Sequence, residues 1–383
     1  MHDPSTPLEA LDGLTQQNGQ WCFTVLSYDL KDHIEKIDSD RMDAHVMPVV
    51  LTVVPQRVFR FDINSTAPGF LILQGDFNGL ASACYSLIQL VREAYHAPAP
   101  SPLREDHSSL QPTLPRDQYH LALQAIKKHL QRGDIYEVNY CHEFVGHGEL
   151  KNAFDHWLQL LRRTSAPFSA YMQHKDWILL CASPERYLQR KGEGLLSQPI
   201  KGTIKRSNNA KEDALLQQQL AHSPKDRSEN VMIVDLVRND FSRIAQPNSV
   251  EVSELFGAYP FKTVHHLISS ITAKITKDTS LPAILKATFP MGSMTGAPKI
   301  SAMQIADKYE NFRRGWYSGS IGLRAPNGDF DMNVIIRSAI YQKSTQRISC
   351  GVGGAITMAS IPENELDETL LKARAIRETF LTE

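Results

Sequence analysis

The order of hydrophobic and polar residues predicts both strands and helices along this chain. Ranges 46–54, 57–62 and 69–74 alternate as half-buried strands do, and apolar residues at helical spacing predict a helix over 80–93. Further along, Asp117 can cap a helix through Arg132, and Gly133 can end it. Alternation then resumes and predicts five strands, over 136–144, 168–174, 177–182, 187–191 and 194–197.

The rest of the chain changes character twice. Its third quarter is predicted to be helical, whereas 315–324, 329–342 and 347–356 are predicted to be strands, and a helix is predicted over 364–380. Strands and helices in mixed order, with strands at hairpin spacing, favour an α+β fold over a doubly wound parallel sheet.

One stretch, 97–115, is rich in proline and has almost no periodic apolar residues. It is either an extended connector between two parts or a long surface loop within one domain, and the sequence favours neither. Taken as a connector, it divides the chain into an N-terminal subdomain at 1–96, a connector at 97–116 and a second domain at 117–383.

Composition excludes several classes of protein. Hydrophobic residues are 42% and charged residues 22%, enough for a sizeable core. With 41 Lys and Arg against 42 Asp and Glu, no positive field exists to hold nucleic acid. Apolar runs such as 177–182 are far shorter than the ~18 residues of a membrane span. The N-terminus lacks signal-peptide features, and the five cysteines lack CxxC spacing, so we expect a reduced, cytoplasmic protein.

Two acidic helix faces are the first candidates for chemistry. Glu365, Glu368 and Lys372 lie at i, i+3 and i+7, and Asp226 and Glu229 lie at i and i+3 before an apolar run. If the two helices meet, their like charges need a hard cation, and Mg²⁺ is the natural choice. The alternative is two unrelated solvated helix surfaces.

A third candidate is Lys201, which lies between Pro199 and Gly202. A lysine in a desolvated cleft near a divalent cation has a depressed pKa and becomes a nucleophilic amine, although most lysines in such a context lie in solvent.

Two glycine-containing segments are weaker candidates. Segment 289–299 is not a phosphate loop, because Ala297 and Pro298 separate its second glycine from Lys299. Pro298 is better interpreted as the first residue of a helix whose free amides could bind a carboxylate. The glycines of 350–355 could let backbone amides approach an anion, or could form a tight turn or bulge.

Taken in order, six segments resemble the chorismate-utilising enzymes, a family that includes anthranilate synthase component I and isochorismate synthase. The resemblance covers Asp117 to the C-terminus. It implies an α+β sandwich of two antiparallel sheets flanked by helices, like anthranilate synthase component I, with the active site in a cleft between subdomains. The segments are Ser183–Glu185, Pro199–Thr203, Glu229–Asp240, Gly292–Lys299, Gly315–Gly319 and Asp367–Thr369.

The resemblance also implies chorismate as substrate, Mg²⁺ as cofactor and a role for each matching residue. Glu185 matches the general acid that helps the C4 hydroxyl leave, and Lys201 matches a nucleophile. The carboxylates around the metal match Glu229 and Glu368, with Asp226 and Glu365 beside them. The positions that line the substrate pocket match His266, Ser293, Tyr317, Arg337, Gly351, Gly353 and Lys372. A cation, an arginine and amide donors suit a substrate with two carboxylates.

Two positions indicate the branch of the family. Members that add water resemble one another in carrying a water-activating lysine where this chain has Glu137, so the resemblance to them is weak. Pro-Ile-Lys-Gly-Thr around Lys201 resembles the branch that aminates chorismate at C4 for para-aminobenzoate and folate; Pro-Ile-Ala-Gly-Thr is typical of the anthranilate-forming branch, the nearest alternative. Glu137, where amine-using members commonly have glutamine, is unexplained at this level.

The expected nitrogen source follows from the cysteines. None of them lies in the Gly-x-Cys-x-Gly turn typical of a glutaminase nucleophile. The chain is therefore expected to use free ammonia or to receive ammonia from a separate glutamine amidotransferase subunit, and the resemblance favours the second.

Overall fold

A computed structural model describes residues 7–16, 19–37, 47–64, 69–76, 79–96 and 109–380. The helices in these ranges are α1 (Pro7–Gln16), α2 (Ala81–His96), α3 (Arg116–Arg132), α4 (Ala153–Thr164), α5 (Ala210–Ala221), α6 (Pro224–Ser242), α7 (Leu281–Thr288), α8 (Lys299–Tyr309) and α9 (Pro362–Thr379), with short 3₁₀ turns at Tyr28–His33 and Gly292–Met294.

The strands are β1 (Cys22–Leu26), β2 (Val50–Val53), β3 (Val58–Arg60), β4 (Leu71–Gln74), β5 (Gln111–Pro112), β6 (Glu137–His147), β7 (Phe168–His174), β8 (Trp177–Ser183), β9 (Arg186–Lys191), β10 (Gly194–Gln198), β11 (Ile200–Lys205), β12 (Glu251–Pro260), β13 (Val264–Lys274), β14 (Gly296–Ala297), β15 (Ser320–Arg324), β16 (Phe330–Asn333), β17 (Ser338–Gln342) and β18 (Arg347–Ile356).

Two large sheets form the body of the molecule. The first has nine strands in the order β11-β13-β10-β9-β16-β15-β1-β2, with β12 also paired to β13. The second has seven strands in the order β14-β6-β18-β17-β8-β7, with β5 also paired to β6. β3 and β4 form a separate hairpin, and every strand pair among the described residues is antiparallel.

The two sheets pack face to face through a shared apolar layer. Val25 of β1 in the first sheet contributes to one buried cluster with Leu179 of β8 and Ile340 of β17 in the second. The rings of Trp177 and Trp316 meet in the same layer, with centroids 5.8 Å apart. Helices α4 and α9 cover the outer face of the second sheet, and α6 and α7 pack on the first. The predicted α+β sandwich of antiparallel sheets is therefore confirmed.

Most predicted elements are present, and β7 has the predicted bounds. Two predictions are wrong. The third quarter is not wholly helical, since 251–260 and 264–274 form the hairpin β12–β13. The predicted strand 329–342 is two strands in different sheets, and of 315–324 only Ser320–Arg324 is a strand. Short apolar runs do not separate helix from strand by periodicity, which explains the first error.

The proline-rich connector lies mostly outside the described residues, which resume at residue 109. Before it, β1 pairs with β15 from Cys22–Arg324 to Leu26–Ser320, so β1 and β2 belong to the same sheet as β15 and β16. The division at 97–116 stays a prediction. In the described ranges, no helix combines the length and apolar character needed to cross a bilayer.

Candidate functional site

The chain passes from one sheet to the other at several points, and two adjacent crossings each place a candidate residue. Between β8 and β9 lies Glu185, and between β16 and β17 lies Arg337, whose backbone φ is 52°. The crossings are held together: Val334 N–H donates to the Glu185 carbonyl at 3.1 Å, and Ala182 N–H donates to the Arg337 carbonyl at 3.2 Å. The general-acid candidate and the arginine are thereby fixed at the junction of the sheets.

Lys201 lies in an irregular part of strand β11. The register against β13 shifts between Ile200 and Thr203, which is the signature of a bulge that redirects a side chain. Gly202 has a φ of +85°, and a Cβ there would come within 2.9 Å of Asp226 Oδ1. The local turn thus needs glycine, and Asp226 packs against this turn.

The Lys201 amine contacts a carboxylate of the opposite sheet. Its Nζ donates to Glu137 Oε1 at 2.6 Å, and the two side chains are 9% and 1% exposed. Burial disfavours the ammonium, but Glu137, Glu229 and Glu185 together outweigh burial and raise the pKa of Lys201 above its usual value. In the chain without a metal, the pKa of Lys201 is thus raised, because several carboxylates converge on this amine. The depressed pKa expected beside a divalent cation stays a prediction.

Glu185 has the protonation behaviour expected of a general acid. Burial raises the pKa of its carboxyl group to about 7, and Ser293, Lys201 and the Ile200 amide reverse only part of this effect. The Ser293 hydroxyl is buried without a normal hydrogen-bond partner among the described residues. A substantial fraction of Glu185 therefore holds a proton near neutral pH.

His266 of β13 is held as a neutral imidazole. Its Nδ1 and the Thr203 hydroxyl are 2.9 Å apart, and burial followed by the charge of Arg337 lowers the pKa of His266 to about 3. A neutral ring can donate or accept one hydrogen bond but adds no charge to the pocket.

Tyr317 and the glycines of β18 fit closely together. A Cβ on Gly351 would lie 2.3 Å from the Tyr317 ring, and a Cβ on Gly353 would lie 2.5 Å from Cys141 Sγ. The glycines are therefore required for the strand to pass behind Tyr317. They do not form a turn, since both lie inside the paired strand β18.

Helix α9 brings its charged face to the same strand. Lys372 Nζ donates to the Gly353 carbonyl at 3.0 Å and pairs with Glu368 at 2.7 Å. Arg337 Nη1 donates to the Lys372 carbonyl at 3.2 Å, which links the sheet crossing to α9. The lysine and arginine predicted to face a substrate carboxylate are thus neighbours.

The acidic faces of α6 and α9 meet on either side of the Lys225 ammonium. Lys225 Nζ lies 3.8 Å from Glu229 and 3.5 Å from Glu365. Burial raises the pKa of Glu229 to about 7, and its buried Oε1 has no hydrogen-bond partner in the described part of the chain. Paired Lys372 lowers the pKa of Glu368. Three glutamates therefore face one another, whereas Asp226 contacts the Gly202 turn instead.

Oxygen donors and an orphaned carboxylate oxygen fit a hard cation such as Mg²⁺. In the described part of the chain, no three ligand-type side chains already lie close enough to enclose an ion. The ammonium of Lys225 lies between Glu229 and Glu365, so a cation in this position would require the lysine side chain to move.

The segment around Pro298 contributes packing. Pro298 is the N-cap of α8, so the helix begins at Lys299, one residue later than the sequence predicted. Lys299 Nζ pairs with buried Asp240 at 2.6 Å and donates to the Thr288 carbonyl, so its amine is engaged by groups of the protein. Ser293 of the same segment does reach Glu185.

Sequence reasoning missed three groups near the site: the contact of Glu137 with Lys201, the bridging position of Lys225, and Arg314. Arg314 is buried, pairs with Glu310 and lies over the Tyr28 ring. The available signal for the first was Glu137 itself, a carboxylate in the segment 136–144 that is predicted to be a strand.

Comparison with known proteins identifies the family. Residues 3–378 match the family of chorismate binding enzymes, and the chain belongs to it. The crystal structure of anthranilate synthase component I from Streptococcus pneumoniae TIGR4 superimposes with a TM-score of 0.80 at 26% identity, over 98% of this chain and 86% of that one.

Two curated relatives share more sequence. Aminodeoxychorismate synthase component 1 of Klebsiella aerogenes is 41% identical over 271 residues, which are 70% of this chain and 59% of that protein. Its counterpart in Escherichia coli (strain K12) is 40% identical over 271 residues, again 70% and 59%. The match thus spans about three fifths of the length of these relatives.

Proposed function

We propose that this chain is component I of an aminodeoxychorismate synthase, which converts chorismate and ammonia to 4-amino-4-deoxychorismate for para-aminobenzoate and folate synthesis. The observation that carries the proposal is Lys201: a buried amine, redirected by a bulge, near a buried acid at Glu185. Relatives of that name at about 40% identity support it.

We assign substrate binding to the side of the site that holds the arginine, the lysine and the glycines of β18. Arg337 and Lys372 would neutralise a chorismate carboxylate, and the close passage of Gly351 behind Tyr317 leaves room for its phenol beside that group. His266, held neutral, would contact the substrate ring without adding charge, and Ser293 would line the same pocket.

The reaction would use Lys201 and Glu185 in turn. The lysine amine adds to C2 of chorismate while Glu185 gives its proton to the departing C4 hydroxyl, which leaves as water. Ammonia then adds at C4, the ring electrons shift back, and the lysine leaves C2. A transfer of an amine with no net redox change places the enzyme in the transaminase class.

Mg²⁺ is the proposed cofactor, with Glu229 and Glu368 as ligands and Glu365 next to them. When bound, it would offset the second carboxylate of chorismate and the charge that develops as the hydroxyl departs. Asp226, which contacts Gly202, would act through the Lys201 turn. Binding would displace Lys225 from between Glu229 and Glu365.

Ammonia would come from a glutamine amidotransferase subunit, and the complex would work in the cytoplasm. The described chain supports the need for a partner, since all five cysteines are buried and none is placed as a nucleophile. The name "component 1" of the relatives supports it too.

Lys201→Ala tests the proposal. Chorismate, Mg²⁺ and ammonium, with the product identified by mass, should give aminodeoxychorismate with the wild type. The variant should lose most of this activity while still binding chorismate and Mg²⁺. The covalent mechanism would be excluded if the variant worked at the wild-type rate and the wild type formed no mass adduct on Lys201.

Anthranilate synthase is the second candidate, favoured by the fold match across 98% of the chain. Its product is aromatic and fluorescent, so one emission spectrum of the reaction distinguishes the two. Because Lys201→Ala recreates the Pro-Ile-Ala-Gly-Thr of that branch, weak formation of anthranilate by the variant is expected.

A further inference from the structure

Glu137 and Lys201 form a buried contact between the two sheets that the proposed mechanism leaves without a role. Glu137 is the first residue of β6 and is paired with Ala297 of β14, whereas Lys201 lies on β11 of the other sheet. Their 2.6 Å contact is almost fully enclosed. Such a buried pair is a poor source of stability, which makes a functional reason for it worth seeking.

The charges facing Lys201 come from several elements. Glu137 faces it from β6, Glu229 from α6 and Glu185 from the β8–β9 crossing. From α9, the charge of Glu368 interacts with Lys201, and Lys372 interacts with Glu185. With more carboxylates than cations around it, Lys201 rests as an ammonium, which has no lone pair with which to attack carbon.

Of these carboxylates, one is free to take the proton. Glu185 must keep its own proton for the departing hydroxyl, and Glu229 is assigned to the metal. Glu137 is the carboxylate within hydrogen-bond distance of Nζ in the described ranges, and its second oxygen, Oε2, is buried without a partner there.

We propose that Glu137 is a positioning residue that accepts the proton of Lys201 as the lysine adds to chorismate. The inference rests on the proposed function, since it requires a covalent role for Lys201. It gives a reason for the carboxylate in place of glutamine: an amide would hold the amine in place but could not accept its proton.

The step is balanced. An N–H bond of the Lys201 ammonium breaks and the proton bonds to Glu137 Oε1, while the freed lone pair forms the bond from Nζ to C2. The pair of the C1–C2 double bond moves to C1–C6, that of C5–C6 moves to C4–C5, and the C4–O bond breaks as Glu185 protonates the hydroxyl. When the lysine later leaves C2, it recovers its proton from Glu137.

Glu137→Gln is the central test, because it keeps the shape and one oxygen acceptor. Wild type and variant are mixed with chorismate and Mg²⁺ without ammonia, and the rate of adduct formation on Lys201 is followed by mass across pH. The variant should be slower than the wild type by about 10²-fold near pH 7, in the range of a general base. The ratio of the two rates should approach one as rising pH removes the proton from Lys201 instead, since both proteins lose the acid form of Glu185 together.

Two further variants separate this role from packing. Glu137→Asp keeps a proton acceptor and should retain the wild-type shape of the pH profile at a lower rate. Glu143→Gln removes another buried carboxylate on β6, paired with Arg347 at 2.7 Å, and should leave the profile and rate near wild type.

Three outcomes overturn the inference. A wild-type adduct rate in Glu137→Gln at neutral pH shows that the proton goes elsewhere. A loss relative to the wild type that stays the same at high pH, with chorismate binding weakened equally, shows a structural role. If the wild type itself forms no adduct at any pH while still making product, the covalent function of Lys201 fails, and the inference fails with it.

Discussion

Individual side chains of this site are set by burial as much as by neighbouring charge. Glu185 and Glu229 both have pKa values raised to about 7, in each case mainly by burial, whereas the partly exposed Glu368 has a lowered pKa because of Lys372. Glutamates of the same chemistry are thus divided into a proton donor and charged groups by their surroundings.

Replacement of Glu185 by glutamine should abolish proton donation without altering shape. We expect turnover to fall by about 10²–10⁴-fold, as for other general acids. The measurement is the rate of aminodeoxychorismate formation with ammonium, together with chorismate affinity, which should stay near wild type. Loss of less than tenfold would assign the acid role to another group.

The pH profile of the wild type tests the same residue independently. The folded pKa of Glu185 is raised to about 7, so the acid form is present below that value and is lost as pH rises through it. Adduct formation on Lys201 without ammonia should therefore decline above about pH 7 from this group. Glu185→Gln should lose this limb of the profile, and a variant that keeps it would contradict the assignment.

At this scale the sequence named the candidate residues, whose roles stay predictions, but it did not show their contacts. Short motifs around Glu185 and Lys201 indicated the chemistry because few chemistries combine those residue types. The pairing of Lys201 with Glu137 could not be predicted, since it joins strands 64 residues apart that belong to different sheets.

Among the elements, strand β18 has a close geometric requirement next to the site. Gly351 and Gly354 lie on the same strand, but a Cβ on Gly351 would be 2.3 Å from the Tyr317 ring, whereas one on Gly354 would be at least 3.6 Å from its nearest neighbours, Glu365 and Lys372. The first distance is impossible without moving the ring, and the second is an ordinary contact.

Gly351→Ala should therefore displace Tyr317 and weaken chorismate binding by at least tenfold, a loss of about 1.4 kcal/mol or more. Gly354→Ala, three residues away on the same strand, should change affinity by much less. Titration of each variant with chorismate measures the difference. Equal effects from the two alanines would show that Tyr317 does not position the substrate.

Helices α6 and α9 carry the proposed metal ligands, so Glu229→Gln and Glu368→Ala should weaken Mg²⁺ binding and reduce turnover sharply. Titration calorimetry with Mg²⁺ measures the first effect. Near-wild-type activity of Glu368→Ala at low Mg²⁺ would show that the metal assignment is wrong.

The substitution Glu229→Gln should also stabilise the metal-free protein at alkaline pH. The pKa of Glu229 rises from 4.5 to about 7 on folding, so its contribution to stability is present below about pH 4.5 and is lost as pH rises through about 7. At about pH 8, Glu229→Gln should gain up to ~3 kcal/mol, and at about pH 4 nothing. Thermal unfolding at the two pH values measures this, and a lower melting temperature at pH 8 would contradict it.

Element prediction from the sequence succeeded where a polar turn separates two runs of strand length and failed where the chain changes sheet. β7 and β8 form a hairpin around the turn at Lys175 and Asp176, and both end close to the predicted positions. The apolar stretch 329–342 looked continuous because Val334, Ile335 and Ile336 are buried or partly buried at the crossing itself, so hydrophobicity did not mark the break.

In the whole molecule, the site lies where the chain passes from one sheet to the other. Both crossings, the Lys201 bulge and the glycine strand meet at this junction, and α6 and α9 close it from outside. The sandwich as a class was predictable from the motifs and mixed element order. The integration of β1 and β2 into the nine-stranded sheet was not, because it depends on pairing across about 300 residues.

The architecture also determines which nitrogen donor this chain can use by itself. Hydrolysis of glutamine needs an accessible thiolate, and all five cysteines are buried, with burial raising the pKa of Cys141 and Cys350 to about 12. The isolated chain should therefore make aminodeoxychorismate from chorismate with ammonium but not with glutamine. Product should rise with pH as more ammonia is unprotonated, until the loss of the Glu185 proton limits it.

Two controls test this dependence on a partner. A glutamine amidotransferase subunit from a related synthase should restore the use of glutamine. A variant that still folds with all five cysteines replaced by serine or alanine should keep the ammonium reaction. Product from glutamine alone would show that this chain holds an amidotransferase centre of its own.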